Sequence, residues 1–262
     1  MLELNRIAVF GGIYSNYLAL DAAVLNAQQQ GVDALYCLGD LGAFGPYPER
    51  VFPLLHEHGV QCIQGNYDHS IGNGLADCRC GYTDPGDNYF ARISYEYTFA
   101  HTSPEHRTWM KSLPEQLPLQ FGRYRLVLCH GSPRKTNEFL WESTTSTHFL
   151  DHLAASHGAD AILATHTGIK WHRRLANDRH FVNVGVLGRP ENDGRTNVWY
   201  AILEARPSFR VEFVPVAYDF RRLAAEMRSE KLPDEFIETV LTGWWTTCLE
   251  VLPAKERRRG RH

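Results

Sequence analysis

Short apolar runs, each ending in a polar motif that contains glycine or histidine, punctuate much of the chain. Arg6-Ile-Ala-Val-Phe10 runs into Gly11-Gly12, Ala34-Leu-Tyr-Cys-Leu38 into Gly39-Asp40, and Val60-Gln-Cys-Ile-Gln64 into Gly65-Asn66. Between them, helix-period stretches from about Asn16 to Gln30 and from Pro48 to His58 predict crossover helices, and three such units in a row predict a parallel sheet. Arg125-Leu-Val-Leu-Cys129 and Ala161-Ile-Leu-Ala164 read as two further buried strands, each leading to a histidine. Asn197 to Leu203 and Phe209 to Val216 alternate as a closing antiparallel pair, and helices are expected around Phe220 to Lys231 and Pro233 to Gly243. Gly72 to Ser94 carries several glycines and a proline with little periodicity, and reads as a long rim loop or lid. No internal repeat or low-complexity tract is evident.

Composition narrows the class. With 262 residues, 44% hydrophobic and 22% charged, the chain can bury a substantial core as one domain, residues 1–262, with 217–262 as a C-terminal helical extension. No window of about 18 apolar residues occurs, so neither a membrane span nor a signal peptide is expected, and the default compartment is the cytoplasm. Net charge is -3. Basic residues are scattered apart from Lys255, Arg257, Arg258, Arg259 and Arg261, which read as a frayed, solvated end; nucleic-acid binding is not indicated. Of six cysteines, Cys37, Cys62 and Cys129 sit in strand-like runs and Cys248 follows a Trp pair. Cys78 and Cys80 form a lone C-x-C, more simply a loop thiol pair than a structural zinc site, and all six are expected as reduced thiols.

The chemistry-bearing residues share one structural address. Gly12-Ile13-Tyr14, Gly39-Asp40, Gly65-Asn66-Tyr67-Asp68, His130-Gly131 and Thr165-His166-Thr167-Gly168 each follow the C-terminal end of an apolar run. In open α/β sheets, loops converge on ligands at that edge. Any one of these motifs alone is more simply a turn or a hydrogen-bonded histidine. In this order, with a carboxylate, a carboxamide and two imidazoles, they resemble the calcineurin-like metallophosphoesterases, in particular the small prokaryotic phosphodiesterase group with its D-x-H, G-D, G-N-H-D, H and G-H-x-H pattern. The resemblance covers roughly residues 6 to 216 and implies a four-layer αββα sandwich of two mixed sheets.

What the resemblance implies about the site is asymmetric. The ligands of the second metal fall on Asp40, Asn66, His130 and His166. Those that serve the first metal alone fall on Gly12, Tyr14 and Gly168, which offer neither carboxylate nor imidazole, and the catalytic-acid histidine falls on Tyr67. One well-ligated divalent transition metal (Zn, Mn or Fe) is therefore expected, with water completing its shell. Restoring a second ion by Gly12→Asp, Tyr14→His and Gly168→His is expected if the backbone keeps the family's geometry. Tyr67, Asp68 and Tyr14 are candidates for catalytic roles, although Tyr14 is more simply a packing residue. Arg134, Lys135 and Lys170 are candidates for contacts to a small phosphorylated substrate. Three readings remain open at this point: hydrolysis of a phosphate mono- or diester by one metal, a degenerate relative that binds a metal or phosphate ligand for regulation, or a metal-free structural protein.

Overall fold

The computed structural model describes residues 3–258. The first three apolar runs form β1 (Arg6–Phe10), β2 (Ala34–Cys37) and β3 (Gln61–Cys62), connected through α1 (Tyr17–Gln29) and α2 (Val51–Glu57). Pairing from β1 to β2 and from β2 to β3 is parallel. Three helices follow: α3 (Asn66–Gly72), α4 (Pro85–Ala100) and α5 (Pro104–Ser112). Next come β4 (Gln116–Phe121), β5 (Tyr124–Cys129), α6 (Thr147–Ser156), β6 (Ala161–Ala164), β7 (Lys170–Arg174) and β8 (His180–Val184). The chain returns with β9 (Val198–Glu204) and β10 (Arg210–Val216) and ends in α7 (Phe220–Ser229), α8 (Asp234–Thr242) and α9 (Ala254–Arg258).

Two mixed five-stranded sheets result, ordered β10-β9-β1-β2-β3 and β4-β5-β6-β8-β7. Strand alternation explains how they stack. Ile7 and Val9 point into an inter-sheet core with Leu126, Leu128, Leu163 and Val182. Ala8 and Phe10 point the other way, against a cluster with residues of α1, α2, α7 and α8. On the far side, Ile162 and Ala164 meet Leu150, Leu153 and Ala154 of α6. The αββα sandwich follows, because each sheet is apolar on both faces and needs cover on each. Phe10 is wholly buried, so Phe10→Ala is expected to cost about 3–5 kcal/mol.

Helix α1 begins where Asn16 accepts the Ala19 N–H at 3.0 Å, and Ala19, Leu20, Ala23, Val24 and Ala27 form its buried face. The cap contributes about 1 kcal/mol, and the Asn16 amide also donates to the Gly188 carbonyl at 3.0 Å, tying α1 to the loop after β8.

Three expectations are corrected. The presumed rim loop ends at Asp84, whose side chain caps α4 with Pro85 in the first turn; a Pro-Gly start that looks like a loop is here a well-capped helix. Cys78 and Cys80 are disulfide-bonded, leaving Cys37, Cys62, Cys129 and Cys248 free. Arg79 between them adopts φ +50°, which folds the chain back and brings the two Cα atoms to 5.3 Å. The end of the chain is not simply a solvated tail: Glu256 is buried in α9 and binds Ser143, whereas Arg259 and Arg261 lie outside the described residues. The C-terminal helices also enter the main core through Leu223, Met227, Phe236 and Val240.

Candidate metal centre

The C-terminal ends of β2, β3, β5 and β6 deliver four side chains to one point. Asp40 follows β2 in a left-handed turn (φ +57°) that aims its carboxylate back across the sheet. Donor atoms of Asp40, His130 and His166 all lie within 4.8 Å of one another, and all three residues are buried. Asp40 Oδ2 is 3.3 Å from His130 Nε2, which is 3.2 Å from His166 Nδ1. His130 Nδ1 sits 2.6 Å from the Leu38 carbonyl. A carbonyl only accepts, so Nδ1 carries the proton and Nε2 keeps its lone pair toward the cluster.

Asn66 lines the same pocket as Asp40 and His166. Its Nδ2 donates to the Cys78 carbonyl at 2.9 Å, while Oδ1 is buried without a hydrogen-bond partner; His166 Nε2 is in the same condition. A buried acceptor is rarely left unpaired, and the Asn66 oxygen, in that shared pocket, suits a divalent cation, toward which His166 would turn Nδ1 rather than Nε2. The residues present therefore fit a divalent metal ion.

Electrostatics divide the two imidazoles: without an ion, His130 is drawn toward its protonated form, and His166 is kept neutral. Burial works against the Asp40 charge, yet the imidazoles of His130 and His166 and the Tyr67 N–H hold its carboxyl below the usual range. Burial likewise opposes protonation of His130, but the Asp40 carboxylate holds it above its ordinary value. Burial, and then His130, push His166 down to about 3, keeping it neutral as a ligand must be.

Asp68 lies beneath the site. Its carboxylate accepts the N–H groups of Asp40, Leu41 and Gly65 at 2.7–3.0 Å, so it shapes the turn that presents Asp40. Burial, and then the Asp40 charge, push it up to about 6. Tyr67 stacks edge-on against Tyr95, with its hydroxyl near the Ala91 carbonyl and Ser94 Oγ; burial raises its phenol well above the ordinary value.

The side on which the resemblance would place a first metal is filled rather than open. The Tyr14 ring covers Gly12, where a Cβ would fall 2.6 Å from Tyr14 Cε1. At Gly168, φ is +78° and a Cβ would fall 2.8 Å from the Trp245 ring. The expected restoration of a second ion is therefore corrected: the backbone and the Trp245 ring exclude a histidine at 168. Burial raises the Tyr14 phenol, despite the opposing charge of Arg189.

The substrate-contact candidates are dispersed. Lys170 pairs with Glu191, lies over the Trp199 ring and lines a different pocket. Arg134 pairs with Glu138, and with Lys135 it lines a polar cleft that also includes His130. A pocket over the metal donors is lined instead by Tyr14, Phe44, Tyr82, Phe90, Arg189 and Phe236 together with Asp40, Asn66 and His166. Arg189 escaped the sequence reading. The available signal was the Gly188-Arg189-Pro190 turn after β8, itself an unread strand.

A sequence model described as the calcineurin-like phosphoesterase superfamily domain matches residues 6–207. The chain belongs to this superfamily. Among solved structures, it is similar to a metallophosphoesterase from Sphaerobacter thermophilus, 23% identical over 92% of this chain and 100% of that one (TM-score 0.69). It is also similar to a hypothetical protein from Pyrococcus horikoshii, 21% identical over 92% and 99% of the two chains (TM-score 0.78). An uncharacterised protein of Methanocaldococcus jannaschii is 23% identical over 253 residues, 91% of this chain and 98% of that protein. At these identities the structural likenesses speak to the superfamily fold. No helix among the described residues is long and apolar enough to cross a membrane.

Proposed function

We propose that this protein hydrolyses a small phosphate mono- or diester with one divalent metal ion held by Asp40, Asn66, His130 and His166. The carrying observation is the convergence of three donors within 4.8 Å beside the buried Asn66 Oδ1, an acceptor that lacks a partner among the described residues. When bound, the ion would supply Lewis acidity toward the phosphoryl oxygens and lower the pKa of water.

The chain's own residues do the rest. Asp68 fixes the Asp40 turn, and the Leu38 carbonyl fixes the His130 tautomer. Tyr14 and Tyr67 both remain neutral phenols. The Tyr67 hydroxyl is engaged with Ser94 and Ala91, whereas that of Tyr14, which lines the pocket, makes no hydrogen bond among the described residues. Tyr14 is therefore the better placed to donate a hydrogen bond to the leaving-group oxygen, and Tyr14→Phe should lower kcat by about a hundredfold.

The test is metal analysis of protein purified without chelator, alongside a panel of mono- and diesters. One ion per chain with hydrolysis that disappears in His166→Ala supports the reading; two tightly held ions per chain would refute it. A regulatory binding protein is the second reading, favoured by the aromatic filling of the first-metal side, and a metal-loaded chain that binds phosphate but turns over no ester would establish it.

A further inference from the structure

Arg189 is a buried cation without an anion. It is 7% exposed, its Nε is enclosed without a hydrogen-bond partner, and among the described residues no carboxylate pairs with it. Its contacts are aromatic faces: Cζ lies 3.6 Å from the Trp245 ring centroid, 5.8 Å from that of Phe44 and 5.9 Å from that of Tyr14. A guanidinium tolerates this better than an ammonium because it is planar and weakly hydrated. Even so, a charge taken out of water without a counter-ion is costly, and the cost is explained if an anion completes the site.

Its location indicates which anion. Arg189 lines the same pocket as Asp40, Asn66 and His166, and its Nη2 lies 3.4 Å from the point where a Cβ on Gly168 would sit. The guanidinium therefore stands beside a position that carries a first-metal histidine in relatives of the ordinary pattern.

The placement is also rigid. Leu187 and Gly188 donate their N–H groups to the Gly12 carbonyl at 2.9 and 2.8 Å, and Asn16 holds the Gly188 carbonyl. Gly188 must lack a side chain, because a Cβ there would fall 2.2 Å from the Ile13 carbonyl oxygen. Beyond the arginine, Trp245 Nε1 donates to the Pro190 carbonyl at 2.8 Å, fixing the ring on which the guanidinium rests.

We infer that Arg189 binds the phosphoryl oxygens of the substrate on the first-metal side, so that the site pairs one metal ion with one guanidinium in place of two metals. The inference rests on the single-metal reading above for the opposite side of the cleft. The guanidinium fork matches two oxygens of a tetrahedral phosphate, and, unlike a metal ion, it neither exchanges nor acidifies a water. The site's positive charge on that side then belongs to the polypeptide and is independent of metal supply.

Inorganic phosphate is the probe, titrated calorimetrically into wild type, Arg189→Met and Arg189→Lys, each as the metal-bearing protein and after chelation, with bound metal counted separately. Arg189→Met should weaken phosphate binding by about 30-fold or more, and Arg189→Lys by about fivefold or more, since a point charge replaces a fork. The metal count should stay that of wild type, and thermal unfolding of Arg189→Met should occur no lower than wild type, because an unpaired buried charge has been removed. The same Arg189 dependence should persist in chelated protein. Phosphate affinity within about twofold of wild type in both variants would overturn the inference; should Arg189→Met not fold, Arg189→Lys decides by the same criterion. A wild-type chain that holds no metal, yet binds phosphate through Arg189, would sink the single-metal reading and leave this one standing.

Discussion

The two sides of the cleft are built on the same strand ends and dispose of their polar groups in opposite ways. On one, Asp40, His130 and His166 bring donor atoms to a common point, and the Asn66 Oδ1 lies buried and unpaired among the described residues. On the other, Tyr14 and Trp245 fill the space beside Gly12 and Gly168, and the buried polar group is a cation, Arg189. Interiors are close-packed, so loss of ligands here is accompanied by repacking that would have to be reversed before a second ion could return. The difference teaches that ligand loss in this chain has a volume component as well as a chemical one.

The largest effect should come from breaking the metal side. His130→Ala or His166→Ala should lower metal affinity by well over a hundredfold, which mass spectrometry of the purified variants would register as near-zero occupancy. An ion retained in both variants would mean that the four-residue set is wrongly drawn. Next in size is the attempt to rebuild the other side. The triple variant Gly12→Asp, Tyr14→His, Gly168→His should bind no second ion and should lose about 3 kcal/mol in denaturant unfolding, from positive φ at 168 and overpacking against Trp245. A second ion in that variant would dissolve the contrast.

Acid sharpens the contrast from outside the cleft. His180 lies at the opposite end of β8 from the Arg189 turn, and burial, then His172, push it down to about 4. The unfolded chain gains a proton near pH 6.5 that the folded chain refuses until about 4. The associated stability is thus complete above pH 6.5 and is lost as pH falls through that window, by about 3 kcal/mol at most. Thermal unfolding of His180→Gln should be flatter between pH 7 and 4.5 than that of wild type, with metal release unchanged; an unchanged slope would exclude His180 as the cause. The smallest effect is expected of Tyr14→Phe on stability, within about 0.5 kcal/mol, because the hydroxyl makes no hydrogen bond among the described residues. Its metal count should equal that of wild type.

What could be read in advance followed from burial on both faces. Apart from Arg6 and Arg125 near their starts, β1, β2, β5 and β6 are apolar, because helices cover one side and the second sheet the other, so their ends, and the candidate ligands there, could be located from the residues alone. β7 is Lys-Trp-His-Arg-Arg, an edge strand with one buried residue, and its polar pattern reads as loop. β8 carries His180 and Asn183 among its buried residues, which hides its apolar character. Arg189 depends on that hidden strand and on Trp245 arriving from the far end of the chain, a juxtaposition that no local spacing encodes.

The bond from Asn66 Nδ2 to the Cys78 carbonyl has a consequence for coordination chemistry. A carboxamide has two near-isosteric ends, and only the oxygen binds a hard or borderline cation. By engaging the NH2 end, the segment that carries the Cys78–Cys80 bridge selects the amide rotamer in which oxygen is presented. In the proposed site, this short covalent loop would thus be the orientation lock of the ligand set without contributing a ligand of its own.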